Sequence, residues 1–221
     1  MKKALESLGL VNNVFVMPNF KNMEIIKEKE MCFQEKPPFK VCTFSRVMKE
    51  KGIEDAVNAV SEINKFYGRA IYELDIYGQI DLKQKKWFDN LCSTFPPFVK
   101  YRGIVPFDKS TQVIKNYYLL LFPTHYSGEG FPGTLIDSWS SGVPVIASNW
   151  KYNPELISNG KTGYIYNIFD EKGLCERLCF AANNSTDVNK MKSLCIKRAN
   201  EFLPENVLSK FINDLLFYTN I

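Results

Sequence analysis

The chain of 221 residues predicts an α/β fold, a parallel sheet with helices on both faces. Two observations carry that prediction. Short, nearly continuous apolar runs recur, such as Val41-Cys42-Thr43, Tyr118 to Phe122 and Val143 to Ala147, and such runs suit strands buried on both sides. Between them lie stretches of helical period, as at Ile53, Ala56, Val57, Val60 and Ile63. Strand and helix alternate throughout, which implies parallel strands joined by crossover helices. No internal repeat and no low-complexity tract interrupts the pattern.

In order, Met1 to Leu10 reads as a short amphipathic helix and Val14 to Met17 as a buried strand stopped by Pro18-Asn19. Residues 21 to 38 are charged and end at Pro37-Pro38, the composition of a loop or linker. Lys40 to Phe44 is a strand, followed by the helix through Ile53 to Ile63. Ala70 to Tyr77 is a second strand, closing on Gly78, and Leu82 to Leu91 a helix. Phe98 to Tyr101 is a strand, Phe107 to Asn116 a helix, and Tyr118 to Phe122 a wholly apolar strand. A helix carrying Asp137, the strand Val143 to Ala147, a short helix at Pro154 and the strand Tyr164 to Tyr166 come next. Three helices close the chain, around Glu171 to Ala182, Val188 to Glu201 and Pro204 to Tyr218. The expected organisation is a junction over residues 1–20, a domain over 21–201 and a terminal helix over 202–221, packed on the domain or on a partner.

Composition excludes several function classes. A net charge of +4 is too mild to require nucleic acid, though it tolerates phosphate ligands. No window reaches 18 apolar residues, so no transmembrane helix is expected. Met1-Lys-Lys-Ala lacks the apolar core of a signal peptide. Cys32, Cys42, Cys92, Cys175, Cys179 and Cys195 show neither a CxxC pair nor zinc spacing. They read as reduced core residues, which suggests a cytoplasmic protein. His125 is the only histidine, so no metal site is expected. Trp87, Phe88, Phe169 and Phe180 read as core aromatics, and Lys49 and Arg102 as solvated.

The stretch Glu129-Gly-Phe-Pro-Gly-Thr-Leu-Ile-Asp137, running on to Gly142-Val-Pro-Val145, is the most informative. Two carboxylates eight positions apart are a little over two helical turns apart, near one face of a helix. Free backbone N–H groups at a helix start favour an anion. Carboxylates that accept from sugar hydroxyls, beside amides that hold phosphate, suit a nucleotide-sugar. A second constellation, Arg46 and Lys51 in the loop after a strand, places a bidentate guanidinium and a compact ammonium where they could converge on a diphosphate.

Together these segments resemble the donor site of GT4-like retaining glycosyltransferases (glycosyl transferases group 1). Glu129, Gly130, Phe131, Pro132 and Gly142 to Val145 match the pattern of that family. Asp137 stands where the family usually has Glu, and Ser45 where it has Gly. Tyr101-Arg-Gly103-Ile104-Val105 resembles the stretch whose backbone reads the base. The resemblance covers about Val14 to Glu201 and implies a Rossmann-like domain, the C-terminal half of a GT-B fold. It implies that Arg46, Lys51 and the amides of Gly133 and Thr134 bind the donor diphosphate. Glu129 would contact the sugar, Asp137 the ribose, and Gly103 and Ile104 the base, with Gly130, Phe131 and Pro132 completing the nucleotide-sugar-binding residues. The catalytic residues it implies are Glu129, Arg46 and Lys51. The donor would be a UDP-sugar or GDP-sugar, used without metal or other cofactor. An acceptor glycan or lipid-linked glycan would come through a separate N-terminal domain or subunit, with peripheral membrane association of the full enzyme. His125 reads as a pocket-wall or hydrogen-bonding residue. The alternatives are a non-catalytic transferase domain serving as an interaction subunit, and a fragment of a GT-B-like nucleotide-sugar epimerase.

Overall fold

The computed structural model describes residues 5–9, 16–170 and 172–219. Six parallel strands form one sheet: β1 (Phe39–Phe44), β2 (Tyr72–Tyr77), β3 (Val99–Gly103), β4 (Leu119–Phe122), β5 (Val145–Ser148) and β6 (Gly163–Tyr166), in the order β3-β2-β1-β4-β5-β6. The helices are α1 (Ile53–Phe66), α2 (Lys85–Ser93), α3 (Ser110–Ile114), α4 (Gly133–Ser140), α5 (Asn153–Leu156), α6 (Gly173–Asn183), α7 (Ser185–Asn200) and α8 (Pro204–Thr219). The chain winds outward from β1 to β3, returns to place β4 beside β1, and winds outward again to β6.

Side-chain alternation along the strands divides the core in two. Val41, Leu119, Leu121 and Ile146 face α1, α2 and α6, in a cluster holding Ile53, Val60, Phe88 and Leu178. Cys42, Leu120, Phe122, Val145 and Ala147 face α3 and α4, in a cluster holding Leu135, Trp139 and Ala199. Strands with both faces covered must be apolar at every position, and β4 is buried at all four.

The expected elements recur with shifted ends. The strand expected from Ala70 starts at Tyr72, because Asn64 accepts from the N–H groups of Ile71 and Tyr72 and sets the entry. The strand expected from Val143 starts at Val145, after a turn in which Gly142 has φ 63. Leu82 to Gln84 is a 3-10 turn capped by Asp81 before α2 begins, and Phe107 to Lys109 is another before α3. Of the expected strand at Val14 to Met17, Val14 and Phe15 lie outside the described residues, while Val16 and Met17 are exposed and in no strand. Of the helix expected over Met1 to Leu10, only Leu5 to Gly9 are described, as a single helical turn. Glu171, the expected start of a helix, also lies outside them.

Residues 21–38, the expected loop, hold a 3-10 turn at Glu28–Glu30 and otherwise no helix or strand, and the stretch 19–26 is docked on α4. Ile26 is buried and its N–H donates to the Ser140 carbonyl at 3.0 Å. Phe202, between α7 and α8, stacks on the buried Trp139 of α4 at 5.7 Å. Two aromatic expectations fail: Phe169 is exposed in the loop after β6, and Phe180 is half-exposed on α6. Cys42 and Cys195 are buried and the other four cysteines half-buried, all as free thiols.

Candidate functional site

The loops beyond the carboxyl ends of β1 and β4 meet where the strand order reverses, the usual ligand position in open α/β sheets. Their approach is close enough to dictate sequence. Gly52 closes the β1–α1 loop at φ 70, and a Cβ there would lie 2.1 Å from the Pro123 carbonyl oxygen. Gly78, at φ 137 after β2, passes so near Ser45 that a Cβ would sit 1.7 Å from its carbonyl oxygen. The His125 N–H donates to the Glu50 carbonyl at 2.8 Å. The Thr134 hydroxyl donates to the Phe44 carbonyl at 2.7 Å, which pins the start of α4 to the end of β1.

Within this frame Lys51 and Glu129 come together. Lys51 Nζ lies 2.6 Å from Glu129 Oε2, with the side chains 13% and 8% exposed. The Thr124 hydroxyl donates to the same carboxylate oxygen at 2.8 Å. The ammonium also stands 4.9 Å from the centre of the Tyr126 ring, a cation–π distance. Lys51 is therefore already matched by an anion. Arg46 is the contrary case: it is 59% exposed, 3.9 Å from Asp81, and so loosely held.

The carboxylates of Glu129 and Asp137 do not share a helix face. Pro132 is the N-cap of α4, so the helix starts at Gly133 and Glu129 lies in the loop before it. Each acid instead has its own lysine. Asp137, on α4 and 6% exposed, lies 2.5 Å from Lys21 Nζ. Burial pushes the Asp137 pKa up, while Lys21 and Ser110 pull it back. Lys21, Ser110, Thr124 and Tyr126 are the site residues that sequence reasoning missed. Only the apolar-to-polar change at the end of β4 pointed toward Thr124.

Pro132 makes no side-chain cap bond, so the first amides of α4, those of Gly133 and Thr134, have no side-chain acceptor at the helix start. A Cβ at Gly130 or Gly133 would meet nothing within 4 Å. The Phe131 ring turns onto Phe202 at 5.1 Å. Gly103 ends β3, its carbonyl accepting from the Gly78 N–H at 2.9 Å, and the next residue, Ile104, is 66% exposed. Gly103 and Ile104 thus stand on the same edge of the sheet, beyond β2 from Arg46. Lys49 is exposed, as expected, but Arg102 is not simply solvated. It donates to Asp75 at 2.7 Å, within a network in which the Tyr117 hydroxyl donates to the other Asp75 oxygen and pairs with Tyr77.

Comparison with known proteins fits this geometry. The model of the glycosyl transferases group 1 family matches residues 38–184. The chain is 26% identical over 189 residues to the GtfA subunit of a Streptococcus agalactiae UDP-N-acetylglucosamine–peptide N-acetylglucosaminyltransferase, a match covering 81% of this chain and 35% of that protein. A mutant form of S. aureus TarM, solved with UDP, fondaparinux and alpha-GlcNAc-glycerol, superposes with a TM-score of 0.74 at 20% identity, over 96% of this chain and 41% of TarM. The lipopolysaccharide outer core galactosyltransferase WaaB superposes at 0.74 and 19% identity, over all of this chain and 60% of WaaB. The chain thus spans between about a third and three-fifths of the length of these proteins. Among the described residues no helix is long and apolar enough to cross a membrane. The chain belongs to the glycosyl transferases group 1 family, and its six-stranded parallel sheet is a Rossmann-like domain of the GT-B fold, matching the C-terminal one.

Proposed function

We propose that this domain binds the diphosphate of a nucleotide-sugar and, together with an acceptor-binding half, passes the sugar to a glycan with retention of configuration. The observation that carries the reading is the meeting of Lys51, Glu129 and the uncapped start of α4 at the switch point of the sheet. Gly130 and Gly133 support it. Neither is demanded by crowding inside the chain, and close approach of a ligand to the backbone is a remaining reason for glycine.

In this reading the diphosphate lies against the amides of Gly133 and Thr134, and the exposed Arg46 folds onto it. Lys51 turns from Glu129 toward phosphate, which frees the Glu129 carboxylate to accept from sugar hydroxyls. As the sugar–phosphate bond breaks, these two cations and the amide dipoles stabilise the charge gathering on the leaving group. The base lies along Gly103 and Ile104. A uridine donor is favoured over a guanosine one by the UDP in the name of GtfA and the UDP bound to TarM.

The test is thermal unfolding of the purified chain with UDP, GDP or ADP and a chelator. A nucleotide at 100 times its Kd stabilises by about 2.7 kcal/mol, or roughly 5–11 °C for a domain of this size. The expected result is a shift with one nucleotide that Arg46→Ala with Lys51→Ala removes. No shift with any of the three refutes the reading for this chain. It would favour a second one, an interaction subunit, for which the relative GtfA, itself named as a subunit, is the supporting observation.

A further inference from the structure

We propose that Lys21 is a positioning residue of the donor site: it holds the Asp137 carboxylate ionised and aimed, so that Asp137 can accept from the ribose of the donor nucleotide. The inference rests on the donor-site reading above and adds to it a residue from outside the two loops.

Asp137 lies four residues into α4 from Gly133, about 6 Å along the helix axis. Its side chain is one methylene shorter than glutamate, a loss of about 1.5 Å of reach. It is also buried, on the helix that carries Leu135 and Trp139 of the apolar core. A carboxyl so placed tends to take up a proton, and a protonated carboxyl loses the anionic acceptor that a hydroxyl seeks. Lys21 answers this with its ammonium 2.5 Å from Oδ1.

Lys21 is itself fixed. Its N–H donates to the Phe202 carbonyl at 3.2 Å, and two residues earlier the Asn19 amide reaches the Phe131 carbonyl at 3.4 Å. Met23, Ile25 and Ile26 continue the docking along α4, with the Ser140 hydroxyl reaching the Met23 sulfur. The lysine thus enters from a braced segment. An ionised carboxylate offers about four acceptor positions. Lys21 takes one, at Oδ1, and capacity remains for a hydroxyl. Holding a contact residue by a second, immobilised partner is what precise sites require.

The experiment compares the Kd of UDP with that of 2′,3′-dideoxy-UDP for the purified chain and its variants (GDP and 2′,3′-dideoxy-GDP if the chain selects guanosine). The wild-type chain is expected to prefer the ribonucleotide about tenfold or more, the worth of a hydrogen bond to a charged group. Lys21→Met is expected to bring that ratio close to one by weakening UDP alone, Asp137→Asn to do the same, and Lys21→Arg to retain the preference. If Lys21→Met does not fold, Lys21→Gln is read in the same way. An unchanged ratio in folded Lys21→Met, with both affinities moving together, overturns the proposal and leaves Lys21 a structural strap. A ratio lost with Lys21→Met but kept with Asp137→Asn also overturns it, because Lys21 would then touch the ribose directly. Absence of binding by the wild-type chain to either ribonucleotide refutes the donor-site reading itself, and the proposal with it.

Discussion

Replacing Lys51 by Met should destabilise the unliganded domain, and Glu129→Gln should repair most of the damage. Lys51 and Glu129 are 13% and 8% exposed and 2.6 Å apart. Two unit charges attract by about 4 kcal/mol at 4 Å and an effective dielectric of 20, and desolvation cancels much of that, so the intact pair contributes little net stability. Breaking it is another matter. Lys51→Met leaves a buried carboxylate without its cation, at a cost of about 3–5 kcal/mol. Thr124 still donates to that carboxylate, which places the expectation near the lower end. About 3 kcal/mol corresponds to roughly 6–12 °C in Tm for a chain of this length. In the double variant no charge is stranded, and the side-chain amide introduced by Glu129→Gln retains a partner in Thr124. Urea unfolding of wild type, both single variants and the double variant gives the coupling directly, with an expected value of about 2 kcal/mol. Coupling below about 0.5 kcal/mol, or a Lys51→Met variant as stable as wild type, would show that the pair is not held in solution as described. The same double variant, folded but lacking the ammonium, then tests nucleotide affinity with the stability effect removed.

Two further perturbations read other parts of the molecule. Gly78→Ala and Gly52→Ala should each cost more than about 2 kcal/mol in urea unfolding, since a Cβ would meet backbone atoms at 1.7 and 2.1 Å. Gly103→Ala, at φ 80 but with nothing within 4 Å, should cost only the conformational penalty of about 1–2 kcal/mol; equal losses at all three would refute the crowding argument. Lys192 is buried on α7, its ammonium donating to the Tyr117 carbonyl at 3.1 Å, and burial lowers its pKa from 10.5 to about 8. Between those two values the unfolded chain holds a proton that the folded one does not, so stability rises with pH there. The wild-type chain should gain up to roughly 3 kcal/mol relative to Lys192→Met between pH 7 and 10.5, and parallel pH profiles would refute the assignment.

The sheet was legible because doubly covered strands leave a mark in every residue, as Leu119 to Phe122 do. Element ends were less so. The entry to β2 depends on the Asn64 side chain, and the start of β5 on a left-handed turn at Gly142. The motif residues lie on the expected edge, but their partners were hidden. Lys51 reads as a free cation until the β4 loop folds over it, and Lys21 meets Asp137 from 116 positions away. Glu129 and Asp137 share no helix face because of one residue, Pro132, which starts α4 too late to include Glu129. An aromatic after a strand has the same sequence signature whether it turns inward or, as Phe169 does, outward.

The β1–β4 pairing, matched at Val41 with Leu119 and Cys42 with Leu120, is a seam between two three-stranded halves that follow one another along the chain. Few backbone bonds cross it inside the sheet. Beyond the strand ends Lys51–Glu129, Thr134–Phe44 and His125–Glu50 cross it again. The site is in effect the clasp of the seam, and a ligand seated there grips both halves at once. Hydrogen exchange at Cys42 and Leu120 should therefore slow on ligand binding more than exchange in β3 or β6, although no ligand atom need come near either residue.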